Sequence, residues 1–168
     1  MDNTKKYVLD ANIFIEAHQT YYAFDLAPSF WEKLIYSAEK EKLISIDKIR
    51  EELKNGNKED KLSDWISNHF HEWFESCADD KVYQCYGKIM DWAQNSDHFN
   101  DSAKEEFARS ADAWVVAYAK AHNYTVVTHE SYDQNIKKRI KIPNVCETFG
   151  IPYTNTFTML RNLNIKIG

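Results

Sequence analysis

The alternation of short strand-like runs with longer helical segments limits the fold more than any other feature of this chain. β-Branched and aromatic residues fill three such runs, YVL at 7–9, LISI at 43–46 and YTVVT at 124–128, and residues 151–153 enter a fourth. Strands joined through helices imply right-handed crossovers and a mainly parallel sheet that is covered on both faces. We therefore predict the α/β class.

Helical spacing of apolar residues accounts for most of the chain between the predicted strands. The predicted helices are one opened by Pro28, one from Lys48 to a break near 55–57, one over 62–74, one over 83–93, one over 102–121 with a break near Ser110, and a short one over 145–149 that stops at Gly150. The apolar stripe after Ser110 is expected at Trp114, Val115, Tyr118 and Ala119. No internal repeat, low-complexity tract or linker interrupts the chain, so residues 1–168 are predicted to form a single domain.

Length and composition are those of a soluble domain with a substantial core. The chain has 168 residues, of which 43% are hydrophobic and 28% are charged. No apolar run approaches the length that spans a membrane, and the start MDNTKKY lacks a signal-peptide pattern, so a cytoplasmic protein is expected. The three cysteines, Cys77, Cys85 and Cys146, are an odd number at spacings unlike a zinc site and are expected to be reduced, structural thiols.

The net charge of -5 argues against nucleic-acid binding, because proteins that bind phosphates usually carry a basic excess. It does not exclude such binding. If several acids converge on divalent cations, a substrate meets far less negative charge than the sequence sum. One basic run exists, Lys137-Lys138-Arg139 with Lys141, and a solvated face is its plainer interpretation.

A carboxylate and an amide interrupt the first apolar run, YVLDANIFI. Asp10 stands at the carboxyl end of the predicted strand, where ligand sites form in open α/β sheets. Since an unpaired buried charge is unfavourable, a functional role for Asp10 is favoured over a mere cap of the turn. Asn12 can hydrogen-bond a carboxylate or phosphate oxygen, or only stabilise the turn.

Further acids follow the other predicted elements. Glu51 and Glu52 lie in KIREEL after the second strand, Asp112 lies near a helix start, and Glu130 comes two residues after YTVVT. Each has an ordinary alternative: an exposed helical glutamate, a first-turn acid that complements the helix dipole, or a solvated loop residue. Their common position beside one edge of the sheet favours a joint role.

Carboxylates held within a few ångströms of each other repel, and a cation relieves this repulsion. Hard oxygen ligands suit Mg²⁺ or Mn²⁺, which bind a phosphate alongside. Such an ion activates water and stabilises charge on a phosphoryl oxygen. The pattern therefore predicts in-line hydrolysis of a phosphodiester.

The order of these pieces resembles the PIN-domain ribonucleases, the fold of the VapC-like toxins in many prokaryotic toxin–antitoxin pairs. The resemblance covers essentially the whole chain, and the tail is similar in particular to the PIN-like subfamily DUF4411. The pieces that carry it are YVLDANIFI, SIDKIREELK, SADAWVVAYAKAHNYTVVTHE and the tail KIPNVCETFGIPYTNTFTMLRNL. The resemblance implies a three-layer α/β/α fold with a central, mainly parallel sheet, and a Mg²⁺- or Mn²⁺-dependent endoribonuclease.

By motif position the resemblance assigns the catalytic and metal-binding acids of the family to four residues: Asp10, Glu52, Asp112 and Glu130. The fourth family acid is commonly Asp, and the longer Glu130 leaves open whether it reaches the metal directly, through water or at a second ion. Glu51 competes with Glu52, which is preferred because the family acid directly precedes a leucine. Thr128 is expected to support the site with its hydroxyl.

The remaining polar and aromatic residues are expected to lie outside the catalytic chemistry. His129 is a candidate proton shuttle, but neighbours in an extended segment diverge, so a bystander role is favoured. His69 and His71 lie two apart on a predicted helix and hence on different faces, which disfavours a metal pair. The aromatic residues of the 62–74 segment are expected in the core, although any left exposed could seat a partner.

The resemblance also implies an RNA substrate, a cognate antitoxin that covers the acidic site, and often a homodimer. The expected mechanism is attack by a deprotonated water, with departure of the 3′ oxygen and a 5′ phosphate left behind. Two rivals remain. One is a non-catalytic PIN-like module that binds RNA or a protein, and the other uses Asp10 as a phospho-accepting nucleophile. The second is weak because Asn12 stands where its general acid would be.

Overall fold

The computed structural model describes residues 5–56 and 61–167, and these form a five-stranded sheet flanked by helices. The strands are β1 Tyr7–Leu9, β2 Leu43–Ile46, β3 Phe74–Glu75, β4 Thr125–Val127 and β5 Tyr153–Thr154. The helices are α1 Ala11–Glu16, α2 Pro28–Glu39, α3 Asp47–Gly56, α4 Lys61–Trp65, α5 Asp80–Asn95, α6 Asp101–Arg109, α7 Asp112–His122, α8 Ile142–Phe149 and α9 Thr156–Asn162.

The strand order β3-β2-β1-β4-β5 places the first strand in the middle of the sheet. All four pairings are parallel, with Val8 aligned to Ile44 on one side and to Val126 on the other. The predicted α/β class and three-layer α/β/α arrangement are therefore confirmed. From β1 the chain first builds outward through β2 and β3, and it then crosses over to add β4 and β5. The order reverses between β1 and β4, which is the kind of position where open α/β sheets bind their ligands.

The three middle strands are buried on both faces, as parallel strands beneath two helical layers must be. Ser45 is the polar exception within β2, and its hydroxyl donates to the carbonyl of Leu9 over 2.7 Å. This bond satisfies a buried hydroxyl and links β2 to the last residue of β1. The carboxyl end of β1 is thereby held on the β2 side.

The predicted helix over residues 62–74 is wrong in its second half. α4 ends at Trp65, a π-helical turn Ile66–Phe70 and a short 3₁₀ turn His71–Trp73 follow, and Phe74 begins β3. The aromatic side chains of this stretch pack against Phe14, whose ring lies 5.5 Å from Phe70 and 5.9 Å from Phe74. The apolar spacing of this stretch reflects tertiary packing. The rings point into the core although the backbone changes from an α-helix to a π-helical turn, a 3₁₀ turn and then a strand. Their predicted place in the core is confirmed for Trp65, Phe70 and Phe74.

The segment after Ser110 forms a helix that is buried nearly all round rather than along one stripe. α7 packs between α5, α8 and the sheet, so Ala113 and Ala117 are fully buried beside Val116, which was expected at the edge of the stripe, whereas the stripe residue Trp114 is only half-buried. The predicted break near Ser110 is present, since α6 ends at Arg109 and α7 begins at Asp112. This break brings the start of α7 to the sheet edge.

The predicted ends of the later elements agree with the structure to within a few residues. Gly150 adopts φ 70° at the end of α8, a conformation that glycine takes without steric strain. The three cysteines are free thiols, with Cys77 and Cys146 buried. Among the helices of the described segments, none combines the length and apolarity needed to cross a bilayer.

Candidate active site

The buried carboxylate of Asp10 lies directly after β1, at the middle of the sheet's carboxyl edge. It is only 3% exposed and caps α1, with its Oδ1 accepting a hydrogen bond of 2.7 Å from the Ala11 N–H. The Asp10 N–H in turn donates to the carbonyl of Val127, so the backbone here is joined to β4. The position of Asp10 is therefore set by two strands and a helix start.

Thr128 connects two of the predicted acids through one hydroxyl group. Its Oγ1 donates to Asp10 Oδ2 over a long 3.4 Å and accepts from the Glu130 N–H at 3.2 Å. Its own N–H donates to the carbonyl of Thr154, which fixes it against β5. The structure thus brings Thr128 to the place that the predicted supporting role requires.

Glu52 rather than Glu51 turns toward the other acids. Glu52 Oε1 accepts a hydrogen bond of 3.0 Å from the N–H of Ala111, the residue just before Asp112. This contact ties α3 to the start of α7, and the charge of Glu52 acts on both Asp10 and Asp112. Both glutamates are exposed and line the same neighbouring cavity, so the hydrogen bond with Ala111 and the charge effects on the aspartates are what distinguish Glu52.

Burial first, and then the charges of the neighbouring acids, raise the pKa values of the two aspartates. Burial, and next the charge of Glu130, raise the pKa of Asp10 to about 7, against the opposing hydrogen bond from Ala11. Burial raises the pKa of Asp112 well above its ordinary value, and the charges of Asp10, Glu130 and Glu52 add to this effect. Four acids from distant parts of the chain therefore act on each other, and a cation placed among them would be stabilised.

Within residues 5–56 and 61–167, Glu130 is the one acid of the four that forms an ion pair with a basic side chain. Its side chain is 8% exposed, and its Oε2 lies 2.8 Å from Nη2 of Arg139. Its Oε1 accepts from the N–H of Ile142, the first residue of α8. The Arg139 charge also lowers the pKa of Asp112, against the effect of burial and of the other acids. Arg139 was not predicted as a site residue; the signal in the sequence was the basic run, which had been interpreted as a solvated face.

The predicted metal ligands are near each other but are not arranged as a finished metal site. Within residues 5–56 and 61–167, no three His, Cys, Asp or Glu side chains are already placed to hold one ion. The hydrogen bonds explain the spread, because Ala11, Ala111 and Arg139 each engage one of the carboxylates. The side chains would have to rearrange before their oxygens could surround one ion.

The donor set nevertheless fits a hard divalent cation. All four side chains offer carboxylate oxygens, the ligands that Mg²⁺ and Mn²⁺ prefer. Glu130 Oε2 is buried and accepts no well-aligned hydrogen bond from any described residue, so only the nearby guanidinium charge balances it. A buried oxygen in this state is a candidate ligand.

The two other predicted participants lie at the margin of the acid cluster. Asn12 is half-buried in the first turn of α1, and its side chain makes no hydrogen bond to the part of the chain that the structure describes. His129 turns away from Glu130, with its Nε2 3.0 Å from Thr156 Oγ1 and its Nδ1 3.6 Å from Glu16. The favoured bystander role of His129 agrees with this geometry.

Two cavities flank the acids along the edge of the sheet. One of about 250 Å³ lies beside Glu52 and is lined by Lys48, Arg109 and Trp114 among others. The other, of about 360 Å³, begins at Thr128 and Glu130 and reaches Tyr132 and Tyr153. The acids thus stand between two grooves that offer aromatic rings and, on one side, positive charge.

Comparison with known proteins supports the fold and the family. The family described as "Domain of unknown function (DUF4411)" matches residues 7–167, whereas no curated protein matches the chain. Among solved structures, the chain is similar to one in the crystal structure of VapBC2 from Rickettsia felis bound to a DNA fragment from their promoter. That likeness has a TM-score of 0.53 and 17% identity, and it covers 89% of this chain and 97% of the other.

A second similar structure is FitAcB from Neisseria gonorrhoeae. Its TM-score is 0.56 at 15% identity, with 90% of this chain and 98% of that chain covered. At these identities the likeness concerns the fold alone. It confirms the predicted PIN-like, VapC-like architecture, which the parallel sheet and its flanking helices had already indicated.

Proposed function

The chain belongs to the DUF4411 family, and from the acid site at the middle of its sheet we propose that it is a divalent-metal-dependent endoribonuclease. The observation that carries this proposal is the group of interacting acids around Asp10 and Asp112, where burial and like charges raise the pKa of both. A protein gains nothing in stability by collecting such charges. Perturbed acids at a ligand-binding edge are typical of a catalytic site.

Four residues would hold the cation in this proposal: Asp10, Glu52, Asp112 and Glu130. Mg²⁺ or Mn²⁺ fits them, since each side chain supplies hard carboxylate oxygens. When bound, such an ion lowers the pKa of a water and stabilises negative charge on a phosphoryl oxygen. Whether one or two ions are held depends on the reach of Glu130.

The residues of the chain itself would orient the reaction and move the proton. The Ala11 N–H and the Thr128 hydroxyl fix the carboxylate of Asp10 from two sides. A carboxylate oxygen of this cluster that is not engaged by the cation accepts the proton of the attacking water. The attack releases the 3′ oxygen of the preceding nucleotide and leaves a 5′ phosphate.

The two grooves beside the acids would hold the RNA strand on either side of the cleaved bond. Lys48 and Arg109 can bind phosphates on the Glu52 side, although the Lys48 ammonium lies 5.1 Å from the centre of the Trp114 ring. Tyr132, which is 48% exposed, offers a stacking surface on the Glu130 side. These local groups offset the unfavourable net charge of -5.

The biological setting that we propose is a cytoplasmic toxin neutralised by a cognate antitoxin. Fold likeness to the VapBC2 and FitAcB structures supports this setting, as does the resemblance of the sequence to VapC-like toxins. Induction of the protein in cells should then slow growth and produce new RNA ends. A homodimer stays a prediction.

Adjacent glutamates on α3 provide a matched test of the proposed site. The Glu52→Gln variant is expected to cleave RNA about 10- to 100-fold more slowly than wild type, because it loses a charged ligand and weakens the contact with Ala111. Glu51→Gln removes the same charge one position away, at the rim of the proposed RNA groove, and should not slow cleavage, because it only lessens the repulsion of phosphates. Rates are measured on a labelled RNA with Mn²⁺ and with a chelator. Equal losses in the two variants, or full activity in the chelator, would refute the proposal.

A non-catalytic PIN-like module that binds RNA or a protein is the second candidate. The ion pair between Glu130 and Arg139 favours it, because a permanently paired Glu130 would not serve as a ligand. Calorimetric titration with Mn²⁺ distinguishes the two functions. The nuclease should show a site that the Asp112→Ala variant lacks, whereas the module should show none in either protein.

A further inference from the structure

One side chain of the basic run faces the acids, while its neighbours face the solvent. Lys137 and Lys138 are exposed, but the guanidinium of Arg139 reaches Glu130 at 2.8 Å. The backbone is anchored around this residue: the carbonyl of Lys137 accepts the Asn100 N–H at 2.9 Å, and Ile140 is buried. A fixed backbone therefore presents Arg139 to the acid site.

The two ends of this ion pair differ in their freedom. The Arg139 side chain is 44% exposed, so it borders the solvent into which its guanidinium can turn. The Glu130 side chain is 8% exposed, its Oε1 is held by the Ile142 N–H, and its Oε2 accepts no well-aligned hydrogen bond within the described residues. The buried Oε2 of Glu130 is thus stabilised only with a positive charge beside it, whereas the exposed guanidinium of Arg139 can be solvated by water instead.

If the proposed function holds, the guanidinium of Arg139 and the divalent cation compete for the same oxygen, Oε2 of Glu130. A divalent cation that takes Glu130 as a ligand replaces the guanidinium as its positive neighbour. Loss of the arginine alone would leave a buried charge unpaired, which is strongly unfavourable, so release of Arg139 and arrival of the ion should occur together. The released guanidinium then stands at the rim of the site with a planar set of donors that matches a phosphate group.

We propose that Arg139 binds an RNA phosphate and exchanges anions, pairing with Glu130 in the free protein and with the substrate once a divalent cation occupies Glu130. This inference rests on the proposed function and goes beyond it by naming a substrate-binding residue outside the four acids. It also makes binding of the ion and binding of RNA depend on each other. A fixed structural ion pair, the alternative, would create no such dependence.

The exchange predicts effects of opposite sign on the two ligands. In calorimetry with Mn²⁺ alone, the Arg139→Gln variant should bind the ion about fivefold more tightly than wild type, since no guanidinium has to be displaced. In cleavage at saturating Mn²⁺, the same variant should show a KM for a short RNA raised about tenfold, with a smaller change in kcat. A merely structural role of Arg139 would weaken both ligands together.

Lys138→Gln is the matched control, because it removes one positive charge from an exposed adjacent position. It should change the Mn²⁺ affinity and the KM for RNA by no more than about twofold. Arg139→Lys serves as the second variant, and thermal melting checks that each protein folds. The lysine keeps the charge but not the two-pronged geometry, so its Mn²⁺ affinity should stay near wild type while its KM rises several-fold.

The outcomes distinguish failure of the proposed anion exchange from failure of the proposed nuclease function. Tighter Mn²⁺ binding together with weaker RNA binding in Arg139→Gln, and neither change in Lys138→Gln, supports the exchange. Identical behaviour of the two variants, or weakening of both ligands, overturns it while leaving the nuclease intact. If the wild-type protein binds no Mn²⁺ and cleaves no RNA, the proposed function fails and this inference fails with it.

Discussion

The Asp10→Asn variant is expected to cleave RNA on the order of a thousandfold more slowly than wild type while keeping its fold. Asparagine has nearly the same size, and its carbonyl oxygen can still accept the hydrogen bond from the Ala11 N–H that caps α1. What it loses is the negative charge at the centre of the acid cluster. Initial rates on a labelled RNA in Mn²⁺ measure the effect.

Asp91→Asn is the matched control for this loss. Asp91 is an exposed acid on α5 and is not one of the four acids of the candidate site. The activity of this variant should equal that of wild type. Circular dichroism of each protein confirms that the comparison is between folded molecules. Cleavage that persists in Asp10→Asn, in a preparation free of contaminating nucleases, would show that Asp10 is not part of a catalytic centre.

The Asp10→Asn substitution is also expected to stabilise the metal-free protein, and the gain in unfolding free energy should increase as the pH rises. Burial and the charge of Glu130 raise the pKa of Asp10 from 3.8 to about 7, so the folded chain keeps a proton that the unfolded chain releases. Ionisation of Asp10 therefore lowers the stability of the wild-type fold between about pH 4 and pH 7. Asp10→Asn avoids this loss and should gain roughly 2 to 4 kcal/mol in unfolding free energy at pH 8.

Urea denaturation at pH 4 and at pH 8, with a chelator present, measures this difference. The gain should be small at pH 4, where the carboxyl group is protonated in both states, and should level off above about pH 7. Asp91→Asn should show no such trend. Saturating Mn²⁺ should reverse the order at pH 8, since the ion stabilises the wild-type site and not the variant. An equal gain in unfolding free energy at pH 4 and pH 8 would contradict the raised pKa of the buried Asp10.

The elements that the sequence predicted are those in which local pattern and tertiary environment agree. β1, β2 and β4 are β-branched runs that parallel sheets bury completely, so composition and burial give the same answer. β3 contains two residues, which is too short for a period to be recognised, whereas the equally short β5 lies where residues 151–153 were predicted to enter a strand. α1 was missed because NIFI has strand-like composition, and only the capping carboxylate of Asp10 signals a helix start there.

The acids of the candidate site were predictable in order but not in detailed position. Sequence spacing could not choose between Glu51 and Glu52, because both lie within the single turn between the core-facing Ile49 and Leu53. Which glutamate joins the site depends on the position of the Ala111 N–H, and that position is set by the tertiary structure. Arg139 escaped prediction for the same reason: its direction is set by backbone contacts of Lys137 and by the buried Ile140, and a run of three basic residues says nothing about which one turns inward.

The placement of β1 between β2 and β4 has a consequence for translation. Asp10 and Glu52 leave the ribosome early, yet their strand pairs on one side with residues 125–127, and the remaining acids lie at 112 and 130. A growing polypeptide thus holds two of the four proposed ligands until Asp112 has emerged and three until Glu130 follows, and the inner strand lacks one neighbour until residues 125–127 are available. If the proposed function holds, a messenger truncated upstream of that codon would encode a fragment without a complete metal site, and nuclease activity would begin only after most of the chain has been made.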